Sequence, residues 1–374
     1  MSQTDSRPEL IPSLLPSVPD EYQGHLSKLG WTPIALASPG PDVRASAEVT
    51  GPGPAQTCPS SLLHASEALF VNSQKFFDQP DEEKKKCRSW RKIPGEKEYI
   101  ILRTWNDCPE VLQESAEIYW SLMGKLLEKT LESVERSLGM EDYGSANERK
   151  LLRQFIGPGG RMPEDGQDKT ASLLQLFRYD NWEAKEVTEH HVDFGLLTVV
   201  LGSIPGLEVW DGHGWYEIEK EIKRSEKNEA VLLGGRDLDR LSNGRYPGGF
   251  HRVVSYDQQH PSIVGTESPS IAPPIELTSR GDCHRLSIVF SLRAHGTTVI
   301  KSDELQTSIT GEWAQQVNGI TSEYWSQMDN ANFYDCNAAP EVKERAKLAL
   351  QRRLLRTLYH TQLTSGRLIE WKSD

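Results

Sequence analysis

The chain has 374 residues, a formal net charge of −12 from 42 Lys and Arg against 54 Asp and Glu, and an apolar fraction of 37%. An acidic surface repels nucleic-acid phosphates and anionic lipid, which weighs against nucleic acid or a membrane as partner. The length and the 10 Trp, 11 Tyr and 9 Phe suffice for one large core with helical additions.

The five cysteines, Cys58, Cys87, Cys108, Cys283 and Cys336, are odd in number and form no CxxC pair. This points away from a disulfide framework or a thiolate zinc site, and towards a reducing compartment. No apolar run approaches the roughly 18 residues of a membrane span. The opening MSQTDSRPELIPSLLPSVPD has no basic region leading into an apolar one, as a secretory leader would. The cytosol is the expected location.

Residues 21–30 predict a short helix and Trp31–Leu36 a short strand. The Pro- and Gly-rich stretch 37–57 reads as a loop. Apolar residues from Leu62 to Phe76 at helical spacing predict a helix over 60–77, stopped by Pro80. The charge run 81–86 (DEEKKK) reads as a solvated helix start or turn. The strongest helix signal covers 109–138, with one apolar face from Val111 to Leu138 and Gly139 at its end.

After a Gly/Pro-rich break at 157–167 the pattern changes. From Ser172 to His295, short runs rich in Leu, Val, Ile and aromatics alternate with turns: LLQLFRY, LLTVVLG, LEVW, WYEIE, AVLLG, HRVVSY and RLSIVFSL. DGHG (211–214) and Asn243-Gly244 fall between runs, the latter a tight-turn signal. Many short strands suggest a jelly roll. The tail from 322 to 368 is helical again, interrupted by Pro340.

The chemistry starts at His191-Val192-Asp193. Residues i and i+2 of a strand point to one side, so this imidazole and carboxylate can reach one metal ion. A second His from another strand would complete a facial two-His, one-carboxylate set. Such a set leaves coordination positions open and suits iron(II) that must bind a co-substrate and O₂. HxD alone is a weak signal; an apolar strand with Gly195 at its start strengthens it, as does SNGRYPGGFHRVV, where His251 opens a β-branched run.

The combination HxDxGxLT, SNGRYxxxxHRV and RxS resembles the isopenicillin-N-synthase-like iron(II)/2-oxoglutarate oxygenases. It rests on His191, Asp193, Gly195, Leu197, Thr198, Ser242-Asn243-Gly244-Arg245-Tyr246, His251-Arg252-Val253, Arg285 and Ser287. The likeness runs over roughly residues 60–295, and its motifs are specific in combination. It implies a mainly β fold with flanking helices around a double-stranded β-helix (a cupin-like jelly roll). It also implies iron(II) held by His191, Asp193 and His251, with 2-oxoglutarate and O₂ as co-substrates.

A dicarboxylate entering an apolar barrel needs a permanently charged planar fork at its far end, the role the resemblance gives Arg285. Ser287, on the same strand face, and Tyr179 are its expected helpers. Two departures stand out. A Pro- and Ser-rich insertion at 255–283 separates His251 from Arg285, which brings Arg280 and Arg293 into consideration. Phe177-Arg178-Tyr179 replaces the family's Asn-x-Tyr.

His190 is expected to face away from His191, and Arg252 to form an outward salt bridge. Arg103 and Trp105 are weaker candidates for the substrate mouth. The expected organisation is a helical N-terminal region (1–165), a jelly-roll core (166–300) and a helical region capping the site (301–374). The implied activity is oxidation of an unactivated C–H bond of a small molecule, by hydroxylation, desaturation or ring closure. Rivals are an oxidase of the same family that needs no 2-oxoglutarate, and a binding protein on the same barrel.

Overall fold

The computed structural model describes residues 6–36, 61–140, 151–179, 185–224, 228–256, 284–332 and 337–351. Helix α1 (His25–Leu29) leads into β1 (Trp31–Ala35). Helix α2 (Leu62–Phe77) begins at Ser61, whose hydroxyl accepts from the His64 amide at 3.3 Å. Helix α3 (Asp81–Lys84), strands β2 (Trp90–Ile93) and β3 (Lys97–Leu102), the long α4 (Glu110–Ser137) and the short α5 (Leu152–Phe155) follow.

The second half carries β4 (Leu173–Tyr179), β5 (Lys185–His191), β6 (Leu197–Gly202), β7 (Leu207–Trp210) and β8 (Trp215–Tyr216). Next come α6 (Ile218–Arg224), β9 (Glu229–Gly234), α7 (Arg236–Leu241), β10 (His251–Ser255) and β11 (Arg285–Leu292). A small antiparallel pair, β12 (Val299–Lys301) and β13 (Asn318–Thr321), closes this unit, which spans Met1–Ser322. The second unit, Glu323–Asp374, contains most of α8 (Ser322–Asn332) and a further helical stretch over 340–351, which Pro340 opens.

Strands β4 to β11 distribute between two sheets. The larger has the order β1-β9-β6-β11-β4-β3-β2 and the smaller β5-β10-β7-β8, with antiparallel pairing throughout. This is the jelly-roll order of a double-stranded β-helix. Inward side chains of both sheets form one core: Tyr99, Phe177, Val200 and Val231 from the large sheet, Val187, Val209 and Val253 from the small one. Trp31 also ties the sheets, since its indole N–H donates to the Trp210 carbonyl at 2.9 Å and its ring stacks on Tyr216 at 5.9 Å.

Helix α4 covers the outer face of the large sheet. Trp120, fully buried, packs edge-on against Phe290 at 5.1 Å and donates to the Gly159 carbonyl at 3.1 Å. No side chain fits between Gly124 of this helix and the Gly160 carbonyl, where a Cβ would lie 2.1 Å from the oxygen.

Several elements differ from the sequence expectation. β2 and β3 join the large sheet, although the region held no predicted strand. Its charged residues hid the pattern: Glu98 is fully buried, paired at 2.8 Å with Lys84, which lies in the charge run read as solvated. WYEIE yields only the two-residue β8 before α6 begins at Ile218. Asn243 and Gly244, with φ of +53° and +76°, end α7 instead of joining two strands. The expected loops at 37–57 and over most of 255–283 lie outside the described residues.

Replacing Trp120 by Ala removes both the aromatic contact and the indole bond. Equilibrium denaturation should show a loss of about 3–5 kcal/mol.

Candidate metal centre and co-substrate pocket

His191 ends β5 and His251 opens β10, and the two are Cα partners in the ladder. Their rings lie 4.3 Å apart between centroids. Asp193 follows in the turn before β6, its backbone carbonyl accepting from the Arg236 amide at 2.9 Å. Gly195, at φ +99°, reverses the chain against the end of β11, where a Cβ would meet Arg293 Cγ at 2.7 Å.

One ligand atom from each of His191, Asp193 and His251 falls within 4.8 Å of the other two. His191 Nε2 stands 3.4 Å from Asp193 Oδ1, and His251 Nε2 3.9 Å from Oδ2. Each imidazole uses its other nitrogen on the backbone: His191 Nδ1 on the Glu189 carbonyl at 2.7 Å, His251 Nδ1 on the Gly249 carbonyl at 2.9 Å. Donation by Nδ1 leaves Nε2 as a lone-pair donor aimed at the cluster.

Burial alone would raise the Asp193 carboxyl, but His251, His191 and the Thr198 hydroxyl outweigh it and hold the group well below the usual carboxylate range. Burial, with His191 close by, pushes His251 down to about 4 against the pull of Asp193 and the Gly249 carbonyl. At neutral pH the set therefore contains an ionised carboxylate beside a neutral His251. Two nitrogens and one oxygen, one of them anionic, fit a divalent first-row metal with open positions.

Tyr179, Arg285 and Ser287 share the inner face of the large sheet. Arg285 is the Cα partner of Tyr179, and Ser287 that of Phe177. All three are buried, at 6%, 4% and 3% exposure. Arg285 Nε donates to the Ile204 carbonyl at 3.0 Å, and Nη2 to both oxygens of Glu219 at 3.1 and 2.9 Å. Burial works against its charge, but Glu219 and Tyr179 more than compensate, so the guanidinium stays a cation. Nη1 is buried without a hydrogen-bond partner. A buried orphan donor on a cation inside a barrel fits a ligand carboxylate.

Room for this arrangement comes from two glycines. A Cβ at Gly202 would lie 2.6 Å from both Arg285 Nη2 and Glu219 Oε1, and one at Gly206 2.6 Å from Arg285 Nε. Glu219 closes the WYEIE run that the sequence predicts as a strand, and no motif marked it as a pocket residue. Only its anchoring to the Gly206 and Leu207 amides, both at 2.7 Å, reveals its inward direction.

Of the other residues considered, His190 turns away from the cluster and packs on Phe250 at 5.1 Å. Arg252 pairs with Glu208 at 2.8 Å and Glu186 at 3.2 Å. Arg293 lies at the opposite end of β11 from Arg285, with its amide on Ser172 Oγ at 3.1 Å. Arg103 Nη1 reaches the Ala171 carbonyl at 3.4 Å. Arg280 lies outside the described residues.

No protein-family model matches the chain. Over 155 residues, 40% of the chain, it is 28% identical to jasmonate-induced oxygenase 4 of Arabidopsis thaliana, of which this covers 38%. Over 174 residues, 46% of the chain, it is 24% identical to a 1-aminocyclopropane-1-carboxylate oxidase of Musa acuminata, of which this covers 52%. The chain thus spans between two-fifths and about half of these relatives.

Among solved structures, it superposes on a putative 2OG-Fe(II) oxygenase family protein from Caulobacter crescentus with a TM-score of 0.53 at 17% identity, covering 84% of this chain and 93% of that one. It superposes on JOX2 in complex with 2OG, Fe and JA with a TM-score of 0.51 at 14% identity, covering 81% and 78%. At these identities the superpositions establish the fold.

The chain thus combines a jelly roll with a cluster of two histidines and one carboxylate. In its fold, in the motifs around the cluster and in its partial matches to these relatives, the chain is similar to the isopenicillin-N-synthase-like iron(II)/2-oxoglutarate oxygenases.

Gly202→Ala should push the Arg285–Glu219 pair out of place while sparing the metal donors. The expected result is on the order of tenfold weaker 2-oxoglutarate binding with unchanged Mn(II) affinity, both measured by calorimetric titration.

Proposed function

We propose that the protein is an iron(II)- and 2-oxoglutarate-dependent oxygenase that oxidises a C–H bond of a small molecule. The observation that carries this reading is the His191–Asp193–His251 cluster, with its Nε2 atoms and carboxylate oxygens converging. These three residues hold the iron; Arg285, Ser287 and Tyr179 hold the co-substrate's far end inside the barrel. The metal, when bound, supplies O₂ activation coupled to decarboxylation of the keto acid.

The chain's own part is positional. Backbone carbonyls fix the imidazole tautomers, the apolar core excludes water, and the buried Arg285 orients a dicarboxylate. The relatives' names include a jasmonate-induced oxygenase and a 1-aminocyclopropane-1-carboxylate oxidase, which favours a small organic substrate. The net charge of −12 disfavours a polyanion. No helix among the described residues is long and apolar enough to cross a membrane.

One observation favours a second reading, an oxidase of the same fold that uses no 2-oxoglutarate. Glu219 occupies Nη2 of Arg285 and offsets its charge.

Screening small molecules for O₂-dependent release of succinate from 2-oxoglutarate separates the two readings. The first expects succinate in proportion to product. His191→Ala should abolish it, a loss of at least about 10²-fold through metal affinity alone. Substrate oxidation with no succinate formed establishes the second reading.

A further inference from the structure

Arg293 and Arg103 leave the large sheet at the end of the barrel away from Arg285. Arg293 follows the last residue of β11, roughly 26 Å along the strand from Arg285. Arg103 follows the last residue of β3. Leu102 pairs with Leu174, and Leu173 with Ser291, so the two arginines emerge beside each other across β3, β4 and β11. This is also the metal-donor end. Ser291 lies 3.1 Å from the Thr198 hydroxyl, which in turn bonds Asp193. The Arg293 stem runs against the Asp193 turn, where a Cβ on Gly195 would meet its Cγ at 2.7 Å.

Burial and the nearby Arg103 work against the charge of Arg293, while Asp193 and Asp237 support it. A guanidinium keeps its proton under such opposed pulls. Among the described residues its Nε is buried without a hydrogen-bond partner.

We propose that Arg293, assisted by Arg103, reads a carboxylate on the primary substrate, so that the molecule oxidised is a small organic acid. The inference deepens the oxygenase reading and rests on it.

A buried N–H without an acceptor is costly, and an oxygen supplied by a ligand removes that cost. The same feature, at Nη1, marks Arg285 on the floor of the barrel. The two arginines are rooted too far apart for one five-carbon dicarboxylate to bridge them, so Arg293 calls for a different ligand. Nε and its neighbouring Nη form the side-on edge of a guanidinium, and that edge matches the paired oxygens of a carboxylate. Charge sets the class further. Two like cations held together repel, which favours an anion between them, but Asp193 and Asp237 already relieve part of this. A dianion such as a phosphate ester would meet repulsion from both acids, whereas a single carboxylate balances the remainder. Arg103 is the more exposed of the pair, with Nη1 at 3.4 Å from the Ala171 carbonyl, and suits the outer contact that an arriving acid meets first.

A purely structural Arg293, present only to balance Asp193 and Asp237, predicts something different. Its loss would alter metal affinity and treat charged and uncharged ligands alike. The discriminating measurement loads the full chain with Mn(II) and 2-oxoglutarate and titrates matched pairs calorimetrically. The pairs are phenylacetate with phenylacetamide, 3-phenylpropionate with its primary amide, and cyclohexylacetate with its primary amide. Each pair keeps the shape of the ligand and removes its charge.

At least one acid should bind about tenfold or more tightly than its amide. Arg293→Met should bring that acid and its amide to within about twofold, with Mn(II) and 2-oxoglutarate affinities each moved by less than about twofold, and Arg293→Lys should restore part of the preference. Arg103→Met should narrow the preference by a smaller factor. Equal binding of acid and amide by the wild type, binding of neither, or a preference that survives Arg293→Met overturns the proposal. So does weaker 2-oxoglutarate binding in Arg293→Met, which would put this residue in the co-substrate site. If that variant does not fold, Arg103→Met decides, and an unchanged preference there has the same consequence. A wild-type chain that takes up neither Mn(II) nor 2-oxoglutarate sinks the oxygenase reading itself, and this inference with it, before any acid is compared.

Discussion

The ladder register between β5 and β10 is the constraint on which the site depends. His251 pairs with His191 and, on its other side, with Val209, so one strand carries the second imidazole between its two neighbours in the small sheet. Side chains alternate along a strand, and a one-residue slip would turn His251 away from the barrel and bring Arg252 inward. The apolar residues of β10 and β7 guard against this. Val253 and Val209 belong to the inner core, while Arg252 and Glu208 pair on the outer surface at 2.8 Å. Hydrophobic burial on one face and an ion pair on the other specify the same register. The Nδ1 bonds of both histidines to backbone carbonyls then translate that register into converging Nε2 atoms.

The second constraint is that the barrel must hold charge where its walls are apolar. Arg285 and Lys97 share an interior with Tyr99, Phe177, Val200 and Val231. An isolated ion in such a place is expensive, so the chain satisfies these groups from several directions. Glu219 comes from α6, the Ile204 carbonyl from the turn after β6, and Thr188 with the Val187 carbonyl from β5. Gly202 and Gly206 supply the space for the Arg285–Glu219 pair. This polar group therefore depends on backbone placed by both sheets, and it forms only when the jelly roll has closed.

Much of this was legible in the sequence where chemistry and periodicity coincide. His191, Asp193 and His251 sit in motifs whose spacing carries a physical meaning, and the apolar runs of β4, β6, β9 and β11 alternate or persist as strands do. The helix over 109–138 was readable because its stripe is long. The unread parts share one cause, which is burial of charged residues. β3 opens on the charged pair Lys97-Glu98 and was not predicted, and Lys84 lay in a charge run that suggested a solvated helix start or turn. Glu219 closed the WYEIE run, which was expected to be a strand, and nothing in the pattern gave it an inward role. Sequence patterns assign charged residues to solvent by default, and each of these is paid for by partners far along the chain, Arg178 with Glu98 at 2.5 Å for one. Asn243-Gly244 was misread for another reason: a positive φ serves a helix end as well as a hairpin.

The two halves of the candidate site also differ in exposure. The three candidate metal donors lie at strand ends and in the turn after β5; the His191 and Asp193 side chains are partly exposed, at 21% and 20%, while His251 is buried. Arg285 and Glu219 side chains are exposed at only 5% and 9%. An open donor set suits a centre that must admit O₂ and a substrate, whereas a closed polar floor suits a ligand that must enter in one orientation. Helix α4 packs behind β11 through Trp120 and Phe290. The Asp193 turn is held by several bonds: the Arg236 amide on the Asp193 carbonyl, the Asp237 amide on the Gly195 carbonyl, the Leu196 amide on the Leu292 carbonyl, and Arg236 Nε on the Val192 carbonyl. Both ends of β11 are thus fixed by the fold, and exposure is what separates the His191–Asp193 pair from the Arg285–Glu219 pair.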